Sequence, residues 1–192
     1  MRVLVACEES QRVTVEFRKL GHQAFSCDIQ PCSGGHPEWH ILDDALKVIN
    51  AGDWDLIIAH PPCTYLTIAG AVRLVKHGVI DEERYALLKQ AREFFMAIYN
   101  STCKRICIEN PRPMKRAELP PWSQIIQPYD FGDNYSKQTC LWLKGLPYLM
   151  PNVIERNRRS AAPSWTAAHR SAKIRSKTFP GIAKAMAQQW NY

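Results

Sequence analysis

The chain has 192 residues, of which 46% are hydrophobic and 22% charged, with a formal net charge of +7. That length suits one domain with a real core, and the composition is that of an ordinary globular protein. No stretch approaches the ~20 consecutive apolar residues that cross a bilayer. The opening MRVLVACEES has too short an apolar run for a signal peptide and continues into two acids, so the expected location is the cytoplasm. Seven cysteines (7, 27, 32, 63, 103, 107 and 140), with no CxxC pair, argue against a disulfide framework.

RVLVA (2–6) is a short, β-branched run that reads as a first strand and ends in the polar turn CEES. From Ser10, a candidate N-cap, Val13, Phe17 and Leu20 recur at helical spacing until Gly21 stops the helix. HQAFSCDI (22–29) reads as a second strand with Asp28 at its end, followed by a Gly- and Pro-rich loop. Asp43 to Ile49 is a short helix, and WDLIIA (54–59) is an apolar strand without alternation, the mark of burial on both faces of a parallel sheet. The longest helix runs from Asp81 to Tyr99, with Tyr85, Leu88, Ala91, Phe95 and Ile98 on one face. RICIE (105–109) and TCLWLKG (139–145) are further strands, and Ile182 to Trp190 is the last helix. Alternating strands and helices predict a single α/β domain, with a mostly parallel central sheet and helices on both faces.

In such sheets ligands bind beyond the carboxyl ends of the strands. CEES (7–10), Asp28, HPPC (60–63) and ENP (109–111) all fall there. In HPPCT, two prolines in succession fix the backbone and present Cys63 on a stiff, extended loop. A thiol so placed is a candidate nucleophile; the plain alternative is a core cysteine after a turn. IENP puts Glu109 at the same sheet edge, where a carboxyl group can serve a ring nitrogen while a thiolate adds to carbon, although a glutamate there can also cap a turn.

Those motifs, in this order, resemble the C5-cytosine DNA methyltransferase family, and more closely its short phage and prophage members. VLVACEES resembles the cofactor loop, SCDI the acid ending strand two, WDLIIAHPPC the nucleophile motif and ICIENP the Glu-Asn motif. QPYDFGDNYSKQTCLWLKG resembles the block with a basic pair before a strand, and TFPGIAKAMAQQW the C-terminal helix. The resemblance implies a Rossmann-like, S-adenosylmethionine-dependent methyltransferase fold. It also implies that Cys63 bonds to C6 of cytosine, with Glu109 at N3 and Lys137 as the surviving member of the basic pair. Ala6, Cys7, Glu8, Ser10, Asp28, Ile29, Asp43 and Pro61 are the implied cofactor residues, with Asp28 on the ribose and Asp43 near the adenine. No metal is implied.

The chain departs from the family in three places. Its cofactor loop has no glycine between Ala6 and Val13, Thr139 stands where the second basic residue is usual, and the large target-recognition domain is missing. Its place is taken by a basic strip at about 151–177, which holds seven Lys/Arg against one acid. Arg156, Arg158, Arg159, Arg170, Lys173 and Arg175 are therefore candidate phosphate contacts, though such a strip can equally be a solvated surface segment. DNA is the expected partner, without a membrane. The same chemistry on a free cytosine nucleotide or a single strand, and a non-catalytic nucleic-acid-binding protein retaining the fold, remain as alternatives. Cys27, Cys32, His36 and His40 have a spacing that zinc could use, set against a plain loop.

Overall fold

The structure, a computed structural model, describes residues 1–152, 162–169 and 171–192. Its centre is a seven-stranded sheet in the order β3-β2-β1-β4-β7-β9-β8: β1 is Arg2–Ala6, β2 Gln23–Asp28, β3 His40–Leu42, β4 Leu56–Ala59, β7 Ile106–Pro111, β8 Gln124–Ile126 and β9 Thr139–Lys144. The first five strands of that row are mutually parallel, and β9 runs antiparallel to both neighbours. The expected α/β architecture with a mostly parallel sheet is the one observed.

The apolar strands are buried on both sides, and alternate residues feed two cores. Val3, Val5, Leu56, Ile58 and Cys107 meet α1 (Arg12–Lys19) and α7 (Pro180–Gln189). Leu4, Ala6, Ile57, Ala59, Ile106 and Ile108 meet α2 (Ala45–Ala51) and α4 (Glu82–Tyr99). Trp142 and Trp190 are fully buried, and each indole N–H donates to a proline carbonyl, of Pro120 at 2.7 Å and of Pro147 at 3.2 Å. Neither ring therefore leaves a donor unmatched in the core.

The parallel register is level at the carboxyl edge. Ala6 pairs with both Cys27 and Ala59, and Ala59 pairs with Ile108. The next residue on each strand is polar, so Cys7, Asp28, His60 and Glu109 form one row.

The first helix departs from expectation at its start. It begins at Arg12, and its N-cap is Gln11 in a left-handed conformation (φ 57°) rather than Ser10. The capping comes instead from Glu8, 3% exposed, which accepts from the Val13 N–H at 2.7 Å, the Thr14 N–H at 3.3 Å and the Thr14 hydroxyl at 2.7 Å. A carboxylate placed on the positive end of a helix satisfies donors that would otherwise be orphaned. The second helix starts two residues after Asp43, capped by Asp44, which accepts from Leu46 N at 2.8 Å and Lys47 N at 3.2 Å. The structure adds several elements of two to five residues whose runs are too short to carry a period: β3, β8, the hairpin of β5 (Val75–Lys76) and β6 (Val79–Ile80), α3 (Ile68–Ala71), α5 (Trp165–Ala168) and α6 (Ala172–Ser176). Among the described residues no helix is long and apolar enough to cross a membrane.

The dependence of α1 on a buried carboxylate is open to test. Glu8→Ala should lower unfolding free energy by about 1–2 kcal/mol, the usual range for a lost helix cap, and Glu8→Gln should restore part of it, as read from urea denaturation midpoints.

Candidate functional site

The row of polar residues opens into a cavity of about 380 Å³ at the carboxyl ends of β1, β2 and β4, a size within the range of small-ligand sites. Of the residues the sequence singled out for a ligand, Cys7, Glu8, Ser10, Asp28 and Ile29 line it. Ala6 lies one step back in the sheet, fully buried, with its carbonyl accepting from His60 N at 2.9 Å. Asp43 and Pro61 are not in the lining; their neighbours Asp44 and Pro62 are. Asp43 is exposed and accepts from Asp44 N at 2.7 Å and from Lys47 Nζ at 3.3 Å, contacts that hold its carboxyl below the usual range.

The loop that forms one wall contains no glycine, yet Cys7 (φ 59°) and Gln11 (φ 57°) both adopt the left-handed backbone that glycine takes without strain. Neighbouring chain compensates. Gln11, fully buried, accepts from His36 N at 3.1 Å and donates to His36 O at 2.8 Å and Ser26 Oγ at 3.2 Å, while Ser33 N donates to Glu9 O at 2.7 Å. Gly34 sits so close that a Cβ there would lie 2.5 Å from Gln11 Cβ. The 30–36 loop thus clamps the cofactor-loop candidate from outside.

Cys63 is exposed, one residue beyond the cavity-lining Pro62. Protein packed around the thiol desolvates it and pushes its pKa up; the cations of Lys137 and Arg175 pull the other way, and the Glu109 charge adds to the rise. Lys137 is fixed by a 2.9 Å hydrogen bond from Nζ to the Arg175 carbonyl, which brings the short helix α6 up to the thiol. The four residues Cys63, Glu109, Lys137 and Arg175 are therefore close enough to share one electrostatic field.

Two contacts tie the HPPC and ENP segments together. His60 Nδ1 lies 2.8 Å from Glu109 Oε2, with the two side chains only 10% and 11% exposed. Asn110 Nδ2 donates to the Pro61 carbonyl at 2.8 Å. Burial alone would lower the His60 pKa, but the Glu109 hydrogen bond and charge, with Glu8 behind them, raise it above its ordinary 6.5. Burial would raise Glu109, but the His60 hydrogen bond and charge, aided by Lys137 and the Thr178 hydroxyl, bring it below its ordinary 4.5. Each partner thus favours the charged form of the other, imidazolium on His60 and carboxylate on Glu109. Neither His60 nor Asn110 stood out in the sequence, although both sit inside the quoted motifs at the ends of apolar strands; the pairing of β4 with β7 is what brings them into the site.

Also unforeseen in the cavity lining are Glu9, Asp44, Lys177 and Thr178. Both Glu9 carboxylate oxygens are buried without a hydrogen-bond partner. Of the basic strip, Lys173 is exposed on α6, Arg175 is half-buried beside Lys137, and Arg156, Arg158, Arg159 and Arg170 lie outside the described residues. Of the residues with zinc-like spacing, the histidines are otherwise engaged: His36 stacks on Trp39 at 3.9 Å, and the two ring nitrogens of His40 meet Ser26 Oγ at 2.8 Å and Gln30 O at 2.9 Å. Among the described residues no three His, Cys, Asp or Glu side chains gather as metal ligands would.

No protein-family model matches the chain, nor does any curated protein. A solved structure similar to it is that of a protein described as a DNA modification methyltransferase encoded within an E. coli prophage, at 15% identity and a TM-score of 0.48, with 81% of this chain and 52% of that one covered. The chain spans about half the length of that neighbour.

The ion pair has a defined pH window. His60, with its raised pKa, contributes stability that is full below 6.5 and is lost as pH rises through the folded-state value. Glu109, with its lowered pKa, contributes stability that is full above 4.5 and is lost as pH falls through the folded-state value. His60→Asn should therefore destabilise the protein most between these limits and less at alkaline pH, measured as the difference in urea midpoints across the pH range.

Proposed function

We propose that the chain is an S-adenosylmethionine-dependent methyltransferase that acts at C5 of cytosine in DNA, with Cys63 bonding transiently to C6. The observation that carries this reading is an exposed thiol on a double-proline loop, one residue past a ligand-sized cavity and in the field of a buried carboxylate. The cavity fits the donor. Carboxylates of Glu8, Glu9, Asp28 and Asp44 line it, and the unpartnered oxygens of Glu9 call for a ligand rich in hydroxyl and ammonium donors. Asp28 would hold hydroxyls at the end of β2, Glu9 and Ser10 the charged amino-acid end, and Ile29 and Phe94 offer apolar contact. When bound, S-adenosylmethionine would supply an electrophilic methyl group.

The protein's own residues supply the rest. The thiolate of Cys63 adds to C6, and the electrons displaced into the ring are steadied by Glu109 at N3, which makes C5 nucleophilic. Lys137 and Arg175 favour the thiolate that this step requires. A cytosine in duplex DNA reaches such a site only after leaving the stack, at a cost of a few kcal/mol.

A second reading keeps the chemistry and changes the substrate to a single strand or a free cytosine nucleotide. It is favoured by the size of the basic strip: about 27 residues at 151–177 are few for an interface that reads several base edges, which generally needs roughly 1,000 Å² or more.

Cys63→Ala should cut methyl transfer by roughly a thousandfold or more while S-adenosylmethionine binding, followed by calorimetry, persists. With 5-fluorocytosine in the substrate, wild-type protein should form a stable adduct on Cys63 detectable by mass spectrometry; a variant as active as wild type would refute the nucleophile. Parallel assays on duplex DNA, single strands and dCMP separate the two substrate readings. Joint replacement of Arg156, Arg158 and Arg159 should weaken DNA binding and flatten its salt dependence, by about 0.9 in log–log slope for each phosphate no longer neutralised.

A further inference from the structure

Methyl transfer through Cys63 and Glu109 leaves His60 without a task. Yet His60 is bound into the site through both backbone and ring. Its backbone N–H donates to Ala6 O at 2.9 Å, and the next carbonyl, of Pro61, accepts from Asn110 at 2.8 Å. Its Nδ1 lies 2.8 Å from Glu109 Oε2. Backbone and ring are thus anchored at both ends, and the ring has little freedom to leave the carboxyl group. The other nitrogen, Nε2, is buried with no hydrogen-bond partner, while the residue itself lines the cavity shared with Glu8 and Asp28. One imidazole therefore spans the wall between the carboxyl group and the ligand cavity.

The charge state of the pair poses a chemical problem. His60, 2.8 Å away, draws Glu109 toward its carboxylate form, and a carboxylate accepts hydrogen bonds but has no proton to give to a ring nitrogen. The titratable donor in contact with Glu109 is His60, whose Nδ1 lies 2.8 Å from Oε2. The charged groups facing His60 are Glu109 from β7, Glu8 from the loop after β1 and Lys137 from the segment before β9, so two acids hold that proton against one cation.

We propose, on the basis of the methyl-transfer reading, that His60 is a positioning residue for Glu109: it aims the carboxyl group and carries the proton that Glu109 hands to N3 of the cytosine. As Cys63 Sγ bonds to C6, electron density moves from the C5–C6 double bond into the ring toward N3. An N3–H bond forms as the Glu109 O–H bond breaks. Glu109 obtains that proton by an O–H bond forming as the His60 Nδ1–H bond breaks, which leaves a neutral imidazole. At the end of the reaction a solvent base takes the C5 proton, the C5–H electron pair re-forms the C5–C6 double bond, the C6–S pair leaves with sulfur as thiolate, and the N3 proton returns by the same path, restoring the imidazolium.

Two measurements on the full chain test this. The first needs no cofactor: NMR titration of histidine-labelled protein, with the His60 signals identified by their loss in His60→Asn. The His60 midpoint should lie above 6.5 in wild type and fall by about one unit or more in Glu109→Gln; a midpoint that ignores Glu109 overturns the proposal. The second is the pH profile of methyl transfer. Wild-type kcat should fall on the alkaline side as His60 loses its proton. In His60→Asn, kcat at neutral pH should drop by roughly tenfold or more with KM little changed, and the alkaline limb should move to lower pH, because Glu109 must then supply the proton alone. An alkaline limb in the same place would show that His60 only packs. A wild-type protein that titrates as expected but transfers no methyl group to any cytosine substrate refutes the methyl-transfer reading, and the shuttle with it.

Discussion

The site depends on the register of five parallel strands. Because the apolar runs of β1, β4 and β7 are buried on both faces, a charged side chain within them would be left unpaired in the core. Level pairing makes these runs end together, so Cys7, Asp28, His60 and Glu109 emerge side by side. A slip of one residue between β4 and β7 would turn apolar side chains to the wrong face and would separate His60 from Glu109. The hydrophobic pattern that secures the fold is thus the same pattern that sets the spacing of the polar row.

Much of this was legible in the sequence, and for that reason. WDLIIA and RICIE announce strands buried on two sides, and the polar clusters that follow them announce the edge. Long elements were readable within a residue or two: α4 is expected from Asp81 and found from Glu82, with Asp81 as its cap. What the sequence conceals is which partner a polar residue finds across space. Ser10 looks like the cap of α1 because local patterns favour the serine, but Glu8 reaches the helix end first. Asp43 looks like the cavity acid, and the helix turn puts Asp44 there instead. His60 and Asn110 acquire meaning only when β4 and β7 are neighbours, a fact of topology that no window of sequence contains.

The cofactor-loop candidate illustrates a different kind of hidden partner. A loop with glycines can adopt left-handed conformations unaided, whereas this one places Cys7 and Gln11 there and relies on the 30–36 loop to hold them. Strain of this order, about 1–3 kcal/mol per residue, persists only where surrounding contacts over-determine the backbone. Gly34, which reads as mere loop composition, is what lets that support approach so closely, and Gly35 beside it takes a φ of 90°.

The thiol of Cys7 carries a last consequence. It lines the cavity beside Glu8, and burial, together with the charges of Asp28, Cys27 and Asp44, pushes its pKa up to about 12. Under the proposed reading the cavity holds a methyl donor, and its wall must not take up the methyl group. At neutral pH Cys7 is an uncharged sulfhydryl, a poor nucleophile, so the wall of the chamber is chemically inert; burial raises the Cys63 thiol as well, but there the cations of Lys137 and Arg175 oppose the rise, whereas the charges around Cys7 only add to it.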